Sequence, residues 1–281
     1  MIKIIADTTC GIPVEELKSK GIAVIPQVIT FGTTSYHDDY ELTTDKFLDL
    51  LSRSKELPGT AAPAPSLYNP YYRDAQVHGD QVLVITPSGD LSGTFRSATV
   101  AAADYPDVNI HVVDTRTIAG GLGTLVLLAK QWADEGLPME TIKQRVIEKA
   151  KTCRIFFLVA TLEYLHKGGR IGSASKLVGG LLQIKPILCI QDGKIEPFDK
   201  VRTYKQALIT LEELNSKLLE NNPEAYLSIS QCGADEDAIT MAESFKKRFN
   251  IPEVPIYLVP PAIVVHAGPG VLATSIFTKP E

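Results

Sequence analysis

Apolar positions in the first half of the chain switch repeatedly between short continuous runs and helical spacing. The run IKIIAD predicts a buried strand, and PVEELKSKG reads as a helix opened by Pro13 and closed by Gly21. IAVIPQVITF is a second apolar run. TTDKFLDLLSRSKE then sets Phe47, Leu48, Leu50 and Leu51 at the spacing of one helix face. QVLVITP leads into a helix beginning near Gly93. NIHVVDT leads through RTIAGGLG into a helix from about Leu122 to Asp134, and METIKQRVIEKAKT predicts another. Strands alternating with helices of this length predict an α/β fold with a mostly parallel sheet covered by helices on both faces.

Beyond RIFFLVAT the pattern changes. LEYLHKGGRIGSASKLVGGLLQI reads as short helices broken by paired glycines. In KPILCIQDGKIEPFDKVRT the Asp192-Gly193 pair sits between alternating apolar positions, a strong hairpin signal. A helix from Thr203 to Asn221, the strand AYLSIS, a helix from Asp235 to Phe249 and closing strands complete the chain. The change of pattern predicts two domains, residues 1–160 and a smaller α/β domain over 161–281. No Ser/Gly linker separates them, so they are expected in close contact with the ligand between them.

Composition narrows the class. Apolar residues are 44% and charged residues 22% of the chain, values of a soluble globular protein. A net charge of -5 argues against nucleic acid as a partner, because phosphate binding needs a clustered positive field. Cys10, Cys153, Cys189 and Cys232 lack metal-site spacing and fit reduced thiols; no metal is expected. Asp7 interrupts the first apolar run, so no signal peptide is expected, and the stretch LGTLVLLAKQWA is too short to span a bilayer. A cytoplasmic protein without a transmembrane segment follows as the expectation.

The candidate chemistry begins in VLVITPSGDLSGTFRSATVAAA, a strand, a turn rich in hydroxyls and glycine, and a helix. Free N–H groups and the positive end of the dipole at a helix start attract anions. Ser92 and Thr94 add hydroxyls, and Gly93 lets a ligand approach the backbone. Ser92 as an ordinary helix cap is the plainer reading. No lysine follows in P-loop spacing, and Ser92 is out of phase with a G-x-S-x-G elbow. A nucleophilic serine would need a base, for which His266 is the candidate.

Three further segments carry polar residues in unusual settings. PGTAAPAPSLY holds Thr60 in a proline-stiffened stretch expected to hydrogen-bond little to a sheet. LEYLHKGGRIGSA places Arg170 after two glycines, suited to a carboxylate or phosphate, or to a salt bridge between domains. VVHAGPGVLATS sets His266 at an expected strand end beside a glycine turn; its charge can change near neutral pH.

Taken in order, ADTTCGIP, PGTAAPAP, SGDLSGTFRSA, VVDTRTIAGGLG, LEYLHKGGRI, IKPIL with GKIEPFDKVRT, and HAGPGVLA resemble the DegV family, the fatty-acid-binding subunits of bacterial fatty acid kinase systems. The resemblance runs nearly end to end. It implies a two-domain α/β protein that holds one long-chain fatty acid between its domains, with no other cofactor. It also implies that a separate ATP-dependent fatty acid kinase phosphorylates the presented acid for phospholipid synthesis, so that this chain is no enzyme itself. By the same resemblance Thr60, Ser92 and His266 bind the carboxylate, with Arg170 beside them and the backbone of Gly93 and Thr94 nearby. Arg202, in KVRT, is implied at the surface that meets the kinase.

One departure stands out. The family's Pro-rich loop commonly reads TSQPSP, whereas here Thr60 is followed by Ala61, Ala62, Pro63, Ala64 and Pro65. Thr60 is kept and two polar side chains are replaced by methyl groups. A tail of about sixteen carbons gains roughly 0.8 kcal/mol per buried methylene, which requires an apolar tunnel. GGLGTLVLLA and KLVGGLLQIKPIL are candidates to line it, or else plain core. Two other functions remain open on the residues alone: an esterase or acyltransferase using Ser92 and His266, and a binder of a small phosphorylated or sugar-like ligand.

Overall fold

The computed structural model describes residues 1–38, 41–177, 184–220, 222 and 225–279. The first half contains β1 (Ile2–Asp7), β2 (Ala23–Ile25), β3 (Val28–Phe31), β4 (Thr34–His37), β5 (Gly59–Ala61), β6 (Gln81–Thr86) and β7 (Ile110–Asp114). Four of these form an all-parallel sheet in the order β2-β1-β6-β7, and the others an antiparallel sheet in the order β4-β3-β5. The second half adds β8 (Cys153–Leu158), β9 (Lys185–Gln191), β10 (Lys194–Val201), β11 (Leu227–Cys232), β12 (Ile256–Leu258) and β13 (Val271–Phe277). These make one sheet in the order β10-β9-β8-β13-β11-β12, antiparallel except at β11–β12. The expected α/β class with a parallel sheet flanked by helices is what the chain adopts. β8 lies before residue 160 in sequence yet is central to the second sheet, so sheet membership changes between β7 and β8.

The apolar run around Pro26 proves to be two strands in different sheets, β2 and β3. Proline fixes φ and has no N–H to give, so the chain leaves one sheet there and joins another. The Pro-rich stretch differs from expectation too: Gly59–Ala61 pairs with β3, Thr60 opposite Ile29. Pro58, Pro63 and Pro65 flank the paired residues rather than occupying them, so the donors the ladder needs are present. A helix over Asn69–His78, which no clear apolar spacing announced, buries Tyr72 and Ala75 against the outer face of the parallel sheet.

The helix Ala119–Asp134 lies between the two lobes and packs on strands of both sheets. Its glycines explain the close approach. A Cβ at Gly120 would fall 2.5 Å from Ser228 Oγ, and one at Gly123 would fall 2.6 Å from the Cys10 carbonyl oxygen. Leu122, Leu125 and Val126 join the core of the first lobe, so the GGLG segment is core packing and not tunnel wall. The other candidate wall, KLVGGLLQIKPIL, falls partly on residues 178–183, outside the described residues.

A second core is shared by the halves: Ile29, Leu42 and Phe47 from the first pack with Ile155, Phe157 and Val264 from the second. The Asp192-Gly193 hairpin tip also reaches across. Ser88 Oγ donates to the Gly193 carbonyl at 2.7 Å, and Arg116 donates to the Asp192 carbonyl.

Candidate functional site

The cleft between the two halves holds about 910 Å³ of space not occupied by protein atoms, its open mouth included. Ile118, Ile155, Phe157, Ile190, Ile195 and Val271 supply an apolar wall. Thr60, Ser92, Arg170 and His266 lie on the same lining, with Gly93 and Ala62. Residues separated by more than two hundred positions thus meet at one site. A larger recess, with Arg116, Lys151 and Phe198 on its walls, shares Ile155 and Ile190 with the cleft but is lined by none of the predicted site residues.

Each polar side chain is set by a different element. Thr60 is carried by β5. Ser92 ends a tight turn whose N–H groups at Leu91 and Ser92 donate to the Ser88 carbonyl. The next helix, Thr94–Ala102, has Gly93 as its N-cap, and Ser92 one residue earlier accepts from the Thr94 N–H at 3.4 Å, a long bond to the first turn. His266 differs from expectation: it sits in the last turn of a helix, Pro261–Ala267, not at a strand end. Two successive prolines start that helix, its β-branched run Ile263-Val264-Val265 packs into the shared core, and Gly268 at φ 78 stops it.

His266 Nε2 lies 2.8 Å from Thr60 Oγ1. Burial, and next the charge of Arg170, lower its pKa from 6.5 to about 4. The imidazole is therefore neutral at physiological pH, not poised to titrate there as the sequence suggested. With the proton assigned to Nε2, His266 donates to Thr60 and frees the threonine hydroxyl to point at an anion.

Arg170 Nε donates to the Leu91 carbonyl at 3.2 Å and Nη1 to the Gly168 carbonyl at 2.8 Å. Both partners are neutral, and among the described residues it forms no salt bridge, so the interdomain ion pair is not formed. Arg170 lines the cavity, and among the described residues no protein anion is paired with its charge.

Thr94 does not line the cavity. It is buried, and its hydroxyl lies 2.9 Å from Ser92 Oγ and 2.8 Å from Asp7 Oδ2. Asp7, Thr9 and Gln27 escaped the sequence reading as site residues; Thr9 and Gln27 reach the lining. The signal that could have found them was the polar cluster ADTT at the carboxyl end of a parallel strand, where open α/β sheets bind ligands.

Ala62 meets Gly93 so closely that a Cβ on Gly93 would come within 3.2 Å of it. The Ala62 methyl of the altered Pro-rich loop thus lies on the lining beside Gly93, whereas Ala61 is exposed and outside it. Arg202 is exposed just beyond β10 and lies outside the lining. Since His266 engages Thr60 and Ser92 engages Thr94, the pair is not arranged as base and nucleophile. Among the described residues no cluster of His, Cys, Asp and Glu could hold a metal ion, and no helix is long and apolar enough to cross a membrane.

An apolar cleft between the two halves thus carries hydroxyls, a neutral imidazole and a guanidinium on its lining. The chain belongs to the DegV family: the profile described as "Uncharacterised protein, DegV family" matches residues 1–279. A DegV domain-containing protein of Deinococcus radiodurans is 31% identical over 276 residues, 98% of each chain. A Thermus thermophilus structure described as fatty acid binding of a DegV family protein superposes with a TM-score of 0.92, at 28% identity over 99% of both chains. A stearic-acid-binding protein of Eubacterium ventriosum gives 0.90, at 25% identity and again 99% of both chains.

Proposed function

We propose that this chain binds one long-chain fatty acid between its lobes and presents the carboxylate to a separate ATP-dependent fatty acid kinase. The acyl phosphate formed then passes to phospholipid synthesis, and the chain itself acts as the lipid-binding subunit in the cytoplasm. One observation carries the reading: a single cavity joins an apolar wall to a cluster of Thr60, Ser92, His266 and Arg170. The fatty acids named for related structures support it. Neutral hydroxyl donors orient a carboxylate without attacking it, and Arg170 supplies the matching charge. The exposed Arg202 is available to meet the kinase.

Native mass spectrometry of the purified chain tests the binding. Mass additions of long-chain fatty acids are expected, and a protein still empty after incubation with palmitate or oleate overturns the reading. The loaded chain, mixed with a purified fatty acid kinase and ATP, should yield acyl phosphate trapped as a hydroxamate. An acid that stays unphosphorylated with that kinase counts against presentation alone.

A further inference from the structure

The residues behind Ser92 form an unbroken hydrogen-bonded chain into the first lobe. Asp7 Oδ1 accepts from the Thr9 N–H at 3.0 Å and from its hydroxyl at 2.5 Å. Its Oδ2 is 2.8 Å from Thr94 Oγ1, which is 2.9 Å from Ser92 Oγ. Gln27 Nε2 donates to Asp7 Oδ2 at 2.5 Å and to Thr94 Oγ1 at 2.8 Å, so both its hydrogens are committed.

Each hydroxyl has one hydrogen, and that fixes the direction of the chain. With Asp7 ionised, Thr94 must donate to it, and Ser92 then donates inward to Thr94. Only lone pairs of Ser92 face the cavity, and a carboxylate there meets acceptor against acceptor. With a proton on Oδ2, Asp7 donates to Thr94, Thr94 donates to Ser92, and the Ser92 hydrogen points outward.

Charge favours the second arrangement. Asp7 is fully buried, and burial holds its carboxyl above the usual range against the bonds from Thr9, Thr94 and Gln27. The titratable groups around it are Tyr68, whose hydroxyl burial and the Asp7 charge push up, and Asp38 beyond Thr8. Across the cavity stand the neutral His266 and Arg170, the one permanently charged side chain in the described lining. Two carboxylates sharing a weakly solvated site repel, and Arg170 is placed to serve the one in the cavity.

Resting on the fatty-acid reading above, we propose that Asp7 is the positioning residue of the head-group site. It carries a proton while the acid is bound as a carboxylate, and through Thr94 it turns the Ser92 hydroxyl outward as a donor. Ligand and Asp7 proton are therefore linked: each favours the other.

Infrared difference spectroscopy tests this on the full chain loaded with fatty acid labelled with carbon-13 at its carboxyl, at neutral pH. The wild type should show a protonated-carboxyl stretch that the label does not move and that Asp7→Asn removes, while the ligand's carboxylate bands do move. Asp7→Asn serves to assign that band; its amide facing Thr94 also meets the committed Gln27 hydrogen, donor against donor, so its affinity should fall. Asp7→Ala should bind at least tenfold more weakly. Thr94→Val removes the inward acceptor for Ser92 and should stay within a few-fold of wild-type affinity, while the protonated Asp7 carboxyl loses its hydroxyl partner and its stretch shifts; that shift assigns the band should Asp7→Asn not fold. A carboxylate at Asp7 in the loaded protein, a protonated band that shifts with the label, or one that Thr94→Val leaves unmoved overturns the proposal. A wild type that retains no acid refutes the fatty-acid reading instead.

Discussion

A methyl group at position 168 would test the head-group geometry from behind. Gly168 has φ -77 and ψ -4, a conformation open to alanine, so Gly168→Ala adds no backbone strain. Its Cβ, however, would lie 2.2 Å from His266 Nδ1 and 3.0 Å from the Tyr164 carbonyl oxygen. Ordinary contact distances require the ring to retreat by about 1 Å or more. His266 Nε2 now sits 2.8 Å from Thr60 Oγ1, and such a shift carries it beyond hydrogen-bond reach. The bond is worth about 0.5–1.5 kcal/mol net, which converts to roughly a 2- to 10-fold loss of acid affinity. Alanine is also favoured over glycine in helical conformations, by up to about 1 kcal/mol, so the fold should hold. Calorimetric titration of the delipidated variant with a long-chain acid, alongside its thermal unfolding, measures both. Wild-type affinity would remove His266 from the head-group site. A fall in affinity matched by a fall in unfolding temperature would refute the claim that the effect is local.

Three further outcomes follow from the same geometry. Ser92→Ala removes a donor to a charged group and should weaken binding of the acid by about 1.5–3 kcal/mol; unchanged affinity and unchanged phosphorylation by the kinase would reduce Ser92 to a turn residue. His266, neutral in the fold down to about pH 4 but with an ordinary value of 6.5, lets the unfolded chain bind more protons between those values, so stability should fall as pH drops through that window. Urea midpoints for His266→Gln should fall less steeply there, and parallel slopes would contradict the assignment. Gly193→Ala puts a Cβ 2.5 Å from Ser88 Oγ at φ 76, whereas Gly32→Ala at φ 57 meets nothing within 4 Å. Both should lose the roughly 1–2 kcal/mol cost of the left-handed backbone, and the first distinctly more; equal losses in chemical denaturation would mean that the hairpin tip does not press on the first lobe.

How much could be read beforehand depends on whether the signal was local. The helix Asp235–Phe249 shows its acidic first turn, basic last turn and buried face in the sequence itself, and it forms over the residues predicted. The Asp192-Gly193 turn is equally local, with both residues at positive φ as a tight hairpin demands. The helix carrying His266 misled because Ile263-Val264-Val265 has strand propensity, which burial in a shared core overrode. Thr60, Ser92, Arg170 and His266 each looked ordinary alone, and no spacing rule joins positions so far apart. Their grouping came from the family resemblance. Asp7 and Gln27 were legible only as polar residues near strand ends, because their role consists of hydrogen bonds to Thr94, a partner distant in sequence.

The relative weight of tail and head group gives the binding reading its sharpest consequence. Thr60, Ser92, His266 and Arg170, with Thr9 and Gln27, make up the polar side chains of the described lining, and the rest of it is largely apolar. A methylene moved from water onto such a wall gains about 0.8 kcal/mol, close to a fourfold change in affinity. Between decanoate and palmitate lie six methylenes, so the cleft should favour the longer acid by about 5 kcal/mol, several thousandfold. That exceeds the roughly 1.5–3 kcal/mol assigned to any single head-group bond. Loss of Ser92 should therefore displace the whole chain-length series downward and leave its slope intact. Competition titrations of acids of increasing length, against wild type and Ser92→Ala, measure both slopes. If decanoate and palmitate bound alike, or the slope collapsed with Ser92, the grip would lie in the polar end and the apolar cleft would have another purpose.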